Sequence, residues 1–114
     1  MKKQNRWRRL LRKAANFFEK GEDNWTKGGV AKNQNDFIVS TLNPTACKFC
    51  MIGAIAKCDN LDIISAPAVL TIGKASKEAY RNLLKKGFGL AFNDSDMTTK
   101  EQVIAKLREV ADSD

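Results

Sequence analysis

The longest apolar run of this chain is ACKFCMIGAIAKC, from Ala46 to Cys58, and its only polar residues are Lys48 and Lys57. At about 100° per residue, these two lysines would lie on opposite sides of a helix, so no face of that helix would be wholly polar. The run is shorter than the about 20 apolar residues that cross a bilayer. We therefore expect a central helix near residues 44–58, packed on nearly all sides, and no membrane span.

The ends of this helix are indicated by its flanking residues. Asn43 suits an N-cap, Pro44 suits the first helical position, and Asp59 with Asn60 suits the end. Apolar periodicity predicts three further helices, near residues 7–20, 75–86 and 99–111. The helix at 7–20 should end near Gly21 and the helix at 75–86 should end at Gly87. Thr98 with Glu101 fits a capping box before the helix at 99–111.

The segments between these helices give weaker signals. Residues 26–31 and 37–41 flank an Asn/Asp-rich turn, which predicts a small β-hairpin at 26–41. Pro67 is compatible with a short helix or with an extended connection. The fold class that follows is mainly α: a compact single-domain bundle of about four helices, with that hairpin.

A chain of 114 residues is expected to form one domain. We divide it into a basic segment, 1–13, that leads into the first helix, a helical domain, 14–111, and a frayed tail, 112–114. A basic start without an uninterrupted apolar run predicts no signal peptide, and three cysteines in that context indicate a reducing cytoplasm.

The formal net charge of +7 is concentrated at one end of the chain. The first 13 residues carry seven positive side chains and no acid, which leaves 13 basic and 13 acidic residues elsewhere. An electrostatic partner should therefore be sought at the N-terminal segment.

The first predicted helix is amphipathic, with a basic face opposite its apolar stripe. The bland interpretation is that the stripe packs in the core and the basic face is solvated; the sharper one is that the helix binds nucleic acid, an anionic membrane or an acidic protein. The candidate residues for an acidic partner are Arg6, Arg8, Arg9, Arg12 and Lys13. Candidate anchors for a protein interface are Trp7, Trp25 and Phe88.

Catalysis and metal binding are disfavoured by the residues available. Histidine is absent, which removes the commonest general base at neutral pH and the commonest nitrogen ligand of zinc. Cys47, Cys50 and Cys58 form C-x2-C-x7-C, which is a weak zinc candidate because a fourth ligand would have to come from an aspartate. We expect buried free cysteines, no cofactor and no enzymatic activity.

Four fragments occur along the chain in this order: AANFFEKGEDNW, WTKGGVAK, CKFCMIGAI and FNDSDMTTKEQVIAKLREVA. Together they resemble a family of small bacterial and phage proteins known only as a domain of unknown function. Its loose pattern is W-x-x-G-x-x-A, C-x-x-G-A and N-D-x-x-x-x-T-x-x-x-V. The matching positions are Trp25, Gly28, Ala31, Cys50, Gly53, Ala54, Asn93, Asp94, Thr98 or Thr99, and Val103.

The resemblance implies a compact, mainly helical unit over about residues 14–111, and it supplies no activity. Residues 2–9 lie outside the matching fragments and look like an addition particular to this chain. Gly53 is expected to admit another helix or Trp25 close to the central helix, and Asn93-Asp94 to tie the last helix to its neighbour.

The function we predict is that of a non-enzymatic accessory protein of a phage or mobile element. Its basic N-terminal helix would engage an acidic partner, preferably nucleic acid with little sequence discrimination, because no helix-turn-helix reader is recognisable. The alternative is a protein-interaction module or an inhibitor of a host or defence protein. Zinc binding is a distant third.

Overall fold

A computed structural model describes residues 5–113, in which six α-helices and two short β-strands are present. The helices are α1 (Arg6–Lys20), α2 (Met51–Cys58), α3 (Val69–Ile72), α4 (Lys74–Lys85), α5 (Leu90–Asp94) and α6 (Lys100–Ala111). The strands are β1 (Ala31–Lys32) and β2 (Lys48–Phe49). The predicted mainly α, single-domain fold with a small β element is confirmed.

Helix α1 supplies a large part of the core. Its apolar residues recur at helical spacing, so they form one buried stripe: Trp7, Leu10, Leu11, Ala14, Ala15 and Phe18. This stripe packs most extensively against α6 and also contacts α2 and α4. Helix α1 is therefore continuous across the boundary that we drew between residues 13 and 14.

The central helix is shorter than predicted, and its start near residue 44 is wrong. Phe49 is extended and buried: its N–H donates to the Asn24 carbonyl over 2.9 Å, and its own carbonyl accepts from the N–H of Thr26 over 3.0 Å. Helix α2 begins only at Met51, after Cys50 as the N-cap. Asn43 instead accepts from the N–H of Thr45 over 2.8 Å in a local turn. A buried strand and a buried helix share the same apolar signature, so the run did not separate them.

The small β element involves the predicted segment and one partner outside it. Strand β1 pairs antiparallel with β2, with Ala31 opposite Phe49 and Lys32 opposite Lys48. Within residues 26–41, the predicted hairpin is reduced to a single antiparallel bridge between Lys32 and Ile38.

Helix α6 starts with a capping box one residue later than predicted. The Thr99 hydroxyl accepts from the N–H of Gln102 over 3.2 Å, and the Gln102 side chain accepts from the N–H of Thr99 over 2.9 Å. The hydroxyl of Thr98 instead donates to the Phe92 carbonyl over 2.6 Å. The proposed pair of Thr98 and Glu101 is therefore corrected to Thr99 and Gln102.

A 3-10 turn precedes α3, and a glycine ends α4. Pro67 lies in a single 3-10 turn, Ala66–Ala68, that leads directly into α3. After α4, Gly87 has φ +84°, and the N–H of Phe88 donates to the Leu83 carbonyl over 2.9 Å, which closes the helix end as expected for a glycine at C′. Helix α5 was not predicted.

Within residues 5–113, every helix is too short or too polar to cross a membrane.

Candidate nucleic-acid interface

Two of the predicted partner-binding residues, Arg8 and Arg12, face the C-terminal end of α6. The Arg8 guanidinium donates to the carbonyls of Ala111, over 2.9 Å, and of Ser113. The Arg12 guanidinium donates to the Ala111 carbonyl over 3.2 Å and to the Asp112 carboxylate over 2.8 Å. The last carbonyls of a helix lack intrahelical partners and carry partial negative charge, so these two arginines stabilise the helix end.

The other predicted residues lie along a different edge of α1. Arg6, Arg9 and Lys13 are spaced by three and four positions, and Lys20 continues the same edge two turns later. From Arg6 to Lys20 the helix rises by about 21 Å. We call Arg6, Arg9, Lys13 and Lys20 the cationic stripe. Lys20 was not among the predicted site residues, although its helical spacing from Lys13 was visible in the sequence.

All four cations of the stripe are exposed. Arg6 alone has an acidic partner among the residues that the structure describes: its guanidinium lies 3.1 Å from the Asp59 carboxylate. The Arg6 side chain nevertheless remains 69% exposed, whereas that of Asp59 is only 9% exposed. The stripe therefore keeps a surplus of positive charge toward solvent. Lys2 and Lys3 lie outside the described residues.

A shallow groove follows this stripe where α1 meets the end of α2. It consists of two adjoining concavities of about 120 and 350 Å³ that share Lys13 and Cys58. Arg6 and Arg9 line the first, and Lys20 lines the second. Burial raises the pKa of the Cys58 thiol, so this side chain is uncharged at neutral pH and does not oppose the positive stripe.

The three candidate anchors differ in exposure. Trp7 is only 8% exposed and belongs to the core, which corrects its assignment as an interface residue. Trp25 is half-buried, and its indole N–H is bonded to Asn93. Phe88 is half-buried against Phe92, with ring centroids 5.2 Å apart.

Asn93 is the centre of a buried polar network that the sequence did not reveal as such. Its side-chain oxygen accepts from the indole N–H of Trp25 over 2.7 Å and from the backbone N–H of Met51 over 3.0 Å. Its side-chain nitrogen donates to the Thr26 carbonyl over 3.1 Å and to the Asp94 carboxylate over 2.9 Å. The expected link to the last helix is thus corrected: Asn93 joins the Trp25 segment to the start of α2.

Further positions of the sequence pattern lie around the same network. The Asp94 carboxylate accepts from the N–H of Gly28 over 3.2 Å, and the Cys50 sulfur accepts from the N–H of Gly53 over 3.3 Å. A Cβ added to Gly53 would lie 1.8 Å from the carbonyl oxygen of Val30. The backbone that Gly53 admits therefore belongs to the segment before β1, and not to another helix or to Trp25.

A family of unknown function, DUF6197, matches residues 2–113 of this chain. The chain belongs to this family. Because the match begins at residue 2, the expectation that residues 2–9 are an addition outside the family region is wrong. No curated protein matches the chain, and no solved structure does.

The cysteines of this family member are dispersed. Cys47 is exposed, Cys50 is buried and Cys58 is intermediate, so the expectation of buried cysteines is confirmed for Cys50 and wrong for Cys47. Between residues 5 and 113, no three cysteine, aspartate or glutamate side chains are grouped so that they could hold a metal ion. Burial raises the pKa of the Cys50 thiol to about 11, so Cys50 acts as a neutral N-cap of α2.

Proposed function

We propose that this protein is a non-enzymatic binding protein that engages the phosphate backbone of nucleic acid through the cationic stripe of α1. The observation that carries the proposal is the position of Arg6, Arg9, Lys13 and Lys20 on one exposed edge beside a groove. Among residues 5–113, Asp59 is the single acid that lines this groove. Arg8 and Arg12, which face α6, are left out of this site.

The chemistry of the stripe suits backbone binding with little sequence discrimination. Lysine and arginine bind phosphates by charge and by hydrogen bonding, and each phosphate that they neutralise releases condensed counterions. Base recognition needs a helix or ribbon that enters a groove of the nucleic acid with polar side chains aimed at base edges. The stripe offers cations along a helix side, so its affinity should depend on salt more than on sequence.

The experiment is an anisotropy titration of labelled duplex and single-stranded DNA and RNA at two salt concentrations. The double variant Arg9→Gln, Lys13→Gln removes two charges from the stripe, and Lys85→Gln, Lys86→Gln removes two exposed charges at the end of α4. We expect the stripe variant to lose about 10-fold in affinity and about two units of salt slope, since each lost phosphate contact reduces the slope by about one.

The control variant should retain both the affinity and the salt slope of the unmodified protein. Equal losses in the two double variants would show that net charge matters and that the stripe does not. Absence of binding by the unmodified protein to every probe would reject the nucleic-acid proposal.

A protein partner is the second candidate. It is favoured by large apolar side chains that are at least half exposed: Phe37, Ile38, Ile64, Ile72 and Met97. A stoichiometric complex that survives high salt would support this candidate over nucleic acid, because apolar contacts are not screened. A reducing, cytoplasmic location is part of both candidates and is supported by the free thiols of the three cysteines.

A further inference from the structure

A second groove, of about 690 Å³, lies between α3 and α4 and is separate from the cationic stripe. One wall comes from α3 and includes Leu70 and Ile72, and the other comes from α4 and includes Lys74, Lys77, Glu78 and Arg81. The two helices are joined by Gly73 alone. A Cβ at Gly73 would lie 2.3 Å from the end of the Leu61 side chain, so a larger residue at this junction would require that side chain to move.

The α4 wall carries uncompensated positive charge. Lys74, Lys77 and Arg81 are spaced by three and four positions, so they lie on one helix face. None of these three side chains forms an ion pair or a hydrogen bond with another residue in the described part of the chain. Glu78 is the one acid of this lining within residues 5–113, which leaves a surplus of two positive charges there.

The α3 wall is aliphatic and faces solvent. Val69 is fully buried, whereas Leu70 and Ile72 face solvent. These side chains are 38% and 50% exposed. The groove therefore has an apolar part beside a positively charged part. A ligand that covers both parts must offer apolar groups and anions together.

We propose that this groove binds a short acidic peptide segment of a partner protein. Its carboxylates would pair with Lys74, Lys77 and Arg81, and one or two large apolar side chains would pack on Leu70 and Ile72. A nucleic acid would satisfy the cations, but among the described residues the lining has no aromatic side chain on which a base would stack, and the aliphatic wall would remain uncovered. Charge complementarity and the aliphatic wall together favour an acidic peptide over a nucleic acid as the ligand of this groove.

The test is a selection from a random peptide library on the intact, folded protein, followed by affinity measurements on individual synthetic peptides. We expect the enriched peptides to contain several Asp or Glu residues and at least one Leu, Ile, Phe or Met. Lys77→Glu and Ile72→Ser should each weaken these peptides by about 10-fold, because one reverses a central charge and the other removes half of the aliphatic contact.

Matched controls lie outside the groove on α4. Lys85→Glu reverses an exposed charge, Leu84→Ser removes a side chain that is 47% exposed, and both should leave the affinity within about 2-fold of the unmodified value. Thermal unfolding followed by circular dichroism checks that every variant folds. Failure to enrich acidic peptides, or equal losses in groove and control variants, rejects the proposal. Displacement of the peptides by single-stranded DNA, with loss of DNA binding in Lys77→Glu, assigns the groove to nucleic acid instead.

Discussion

Trp25 donates its indole N–H to the side-chain oxygen of Asn93 over 2.7 Å, although the two residues are 68 positions apart. The same oxygen accepts from the backbone N–H of Met51, the first residue of α2. One carboxamide therefore holds three segments of the chain together: the stretch before β1, the start of α2, and α5. Asn93 is fully buried, so its polar atoms depend on protein partners for their hydrogen bonds.

Replacement of Asn93 by alanine should lower the free energy of unfolding by about 3 kcal/mol, because buried donors lose their acceptor. Chemical denaturation gives this value. Asn82→Ala is the matched control, since its side chain makes one hydrogen bond, to the Glu78 carbonyl within α4. That control should cost less than about 1 kcal/mol. Equal losses in the two variants would contradict a central role for Asn93.

Two glycine substitutions should differ strongly in cost. Gly53→Ala places a Cβ 1.8 Å from the Val30 carbonyl oxygen, and this backbone cannot rotate away as a side chain would. We expect a loss of at least about 3 kcal/mol or failure to fold. At Gly87, nothing lies within 4 Å of an added Cβ and the strain comes only from φ +84°, so Gly87→Ala should cost about 1 kcal/mol. Denaturation midpoints rank the two variants.

The arginines of α1 should separate into two experimental classes. Arg8→Met removes two hydrogen bonds to the end of α6, so we expect a loss of about 1 kcal/mol of stability with little effect on binding. Arg9→Met should have the opposite profile, with unchanged stability and weaker nucleic-acid binding. Denaturation and anisotropy on the same two variants test this separation, and a shared profile would contradict it.

Stability should fall at alkaline pH because of Cys50. Burial raises its pKa from 9.0 to about 11 in the folded protein, whereas an unfolded chain releases the proton near the ordinary value. Between about pH 9 and 11 the unfolded state therefore binds fewer protons than the folded state, and stability declines as pH rises. The full decline is about 2–3 kcal/mol.

Cys50→Ser is the control for this pH dependence. Its hydroxyl can accept from the N–H of Gly53, as the thiol does, but it does not ionise in this range. Denaturation curves at several pH values should show a shallower alkaline decline in the serine variant. Parallel curves for the two proteins would show that other groups cause the decline.

The sequence predicted the long amphipathic helices well, because their information is local. In α1 and α6 the buried residues follow a period of 3.6, and the polar residues between them leave little alternative. The capping box was displaced by one residue because Thr98 and Thr99 are adjacent and both can cap. Only the contact between Thr98 and the Phe92 carbonyl separates their roles.

Two properties could not be predicted from local pattern alone: the secondary structure at the start of the apolar run, and the roles of the arginines in α1. Phe49 is extended because Asn24, Thr26 and Ala31 offer backbone partners, and none of these is visible from the run itself. The charges of Arg8 and Arg12 were evident, but their acceptors lie 99–105 positions away. Sequence reasoning therefore named Arg6, Arg9 and Lys13 as candidates, did not include Lys20, and did not reveal that Arg8 and Arg12 contact the end of α6.

The packing of α1 on α6 also sets an order of events during translation. Arg8 and its acceptor on Ala111 are separated by 103 positions, so the part of the α1 stripe that packs on α6 stays uncovered until almost the whole chain has been synthesised. Contacts of such separation slow folding and leave apolar surface open to aggregation or to chaperones. We expect ribosome-bound chains that stop before residue 100 to remain sensitive to protease along α1, and those in which α6 has emerged to become resistant.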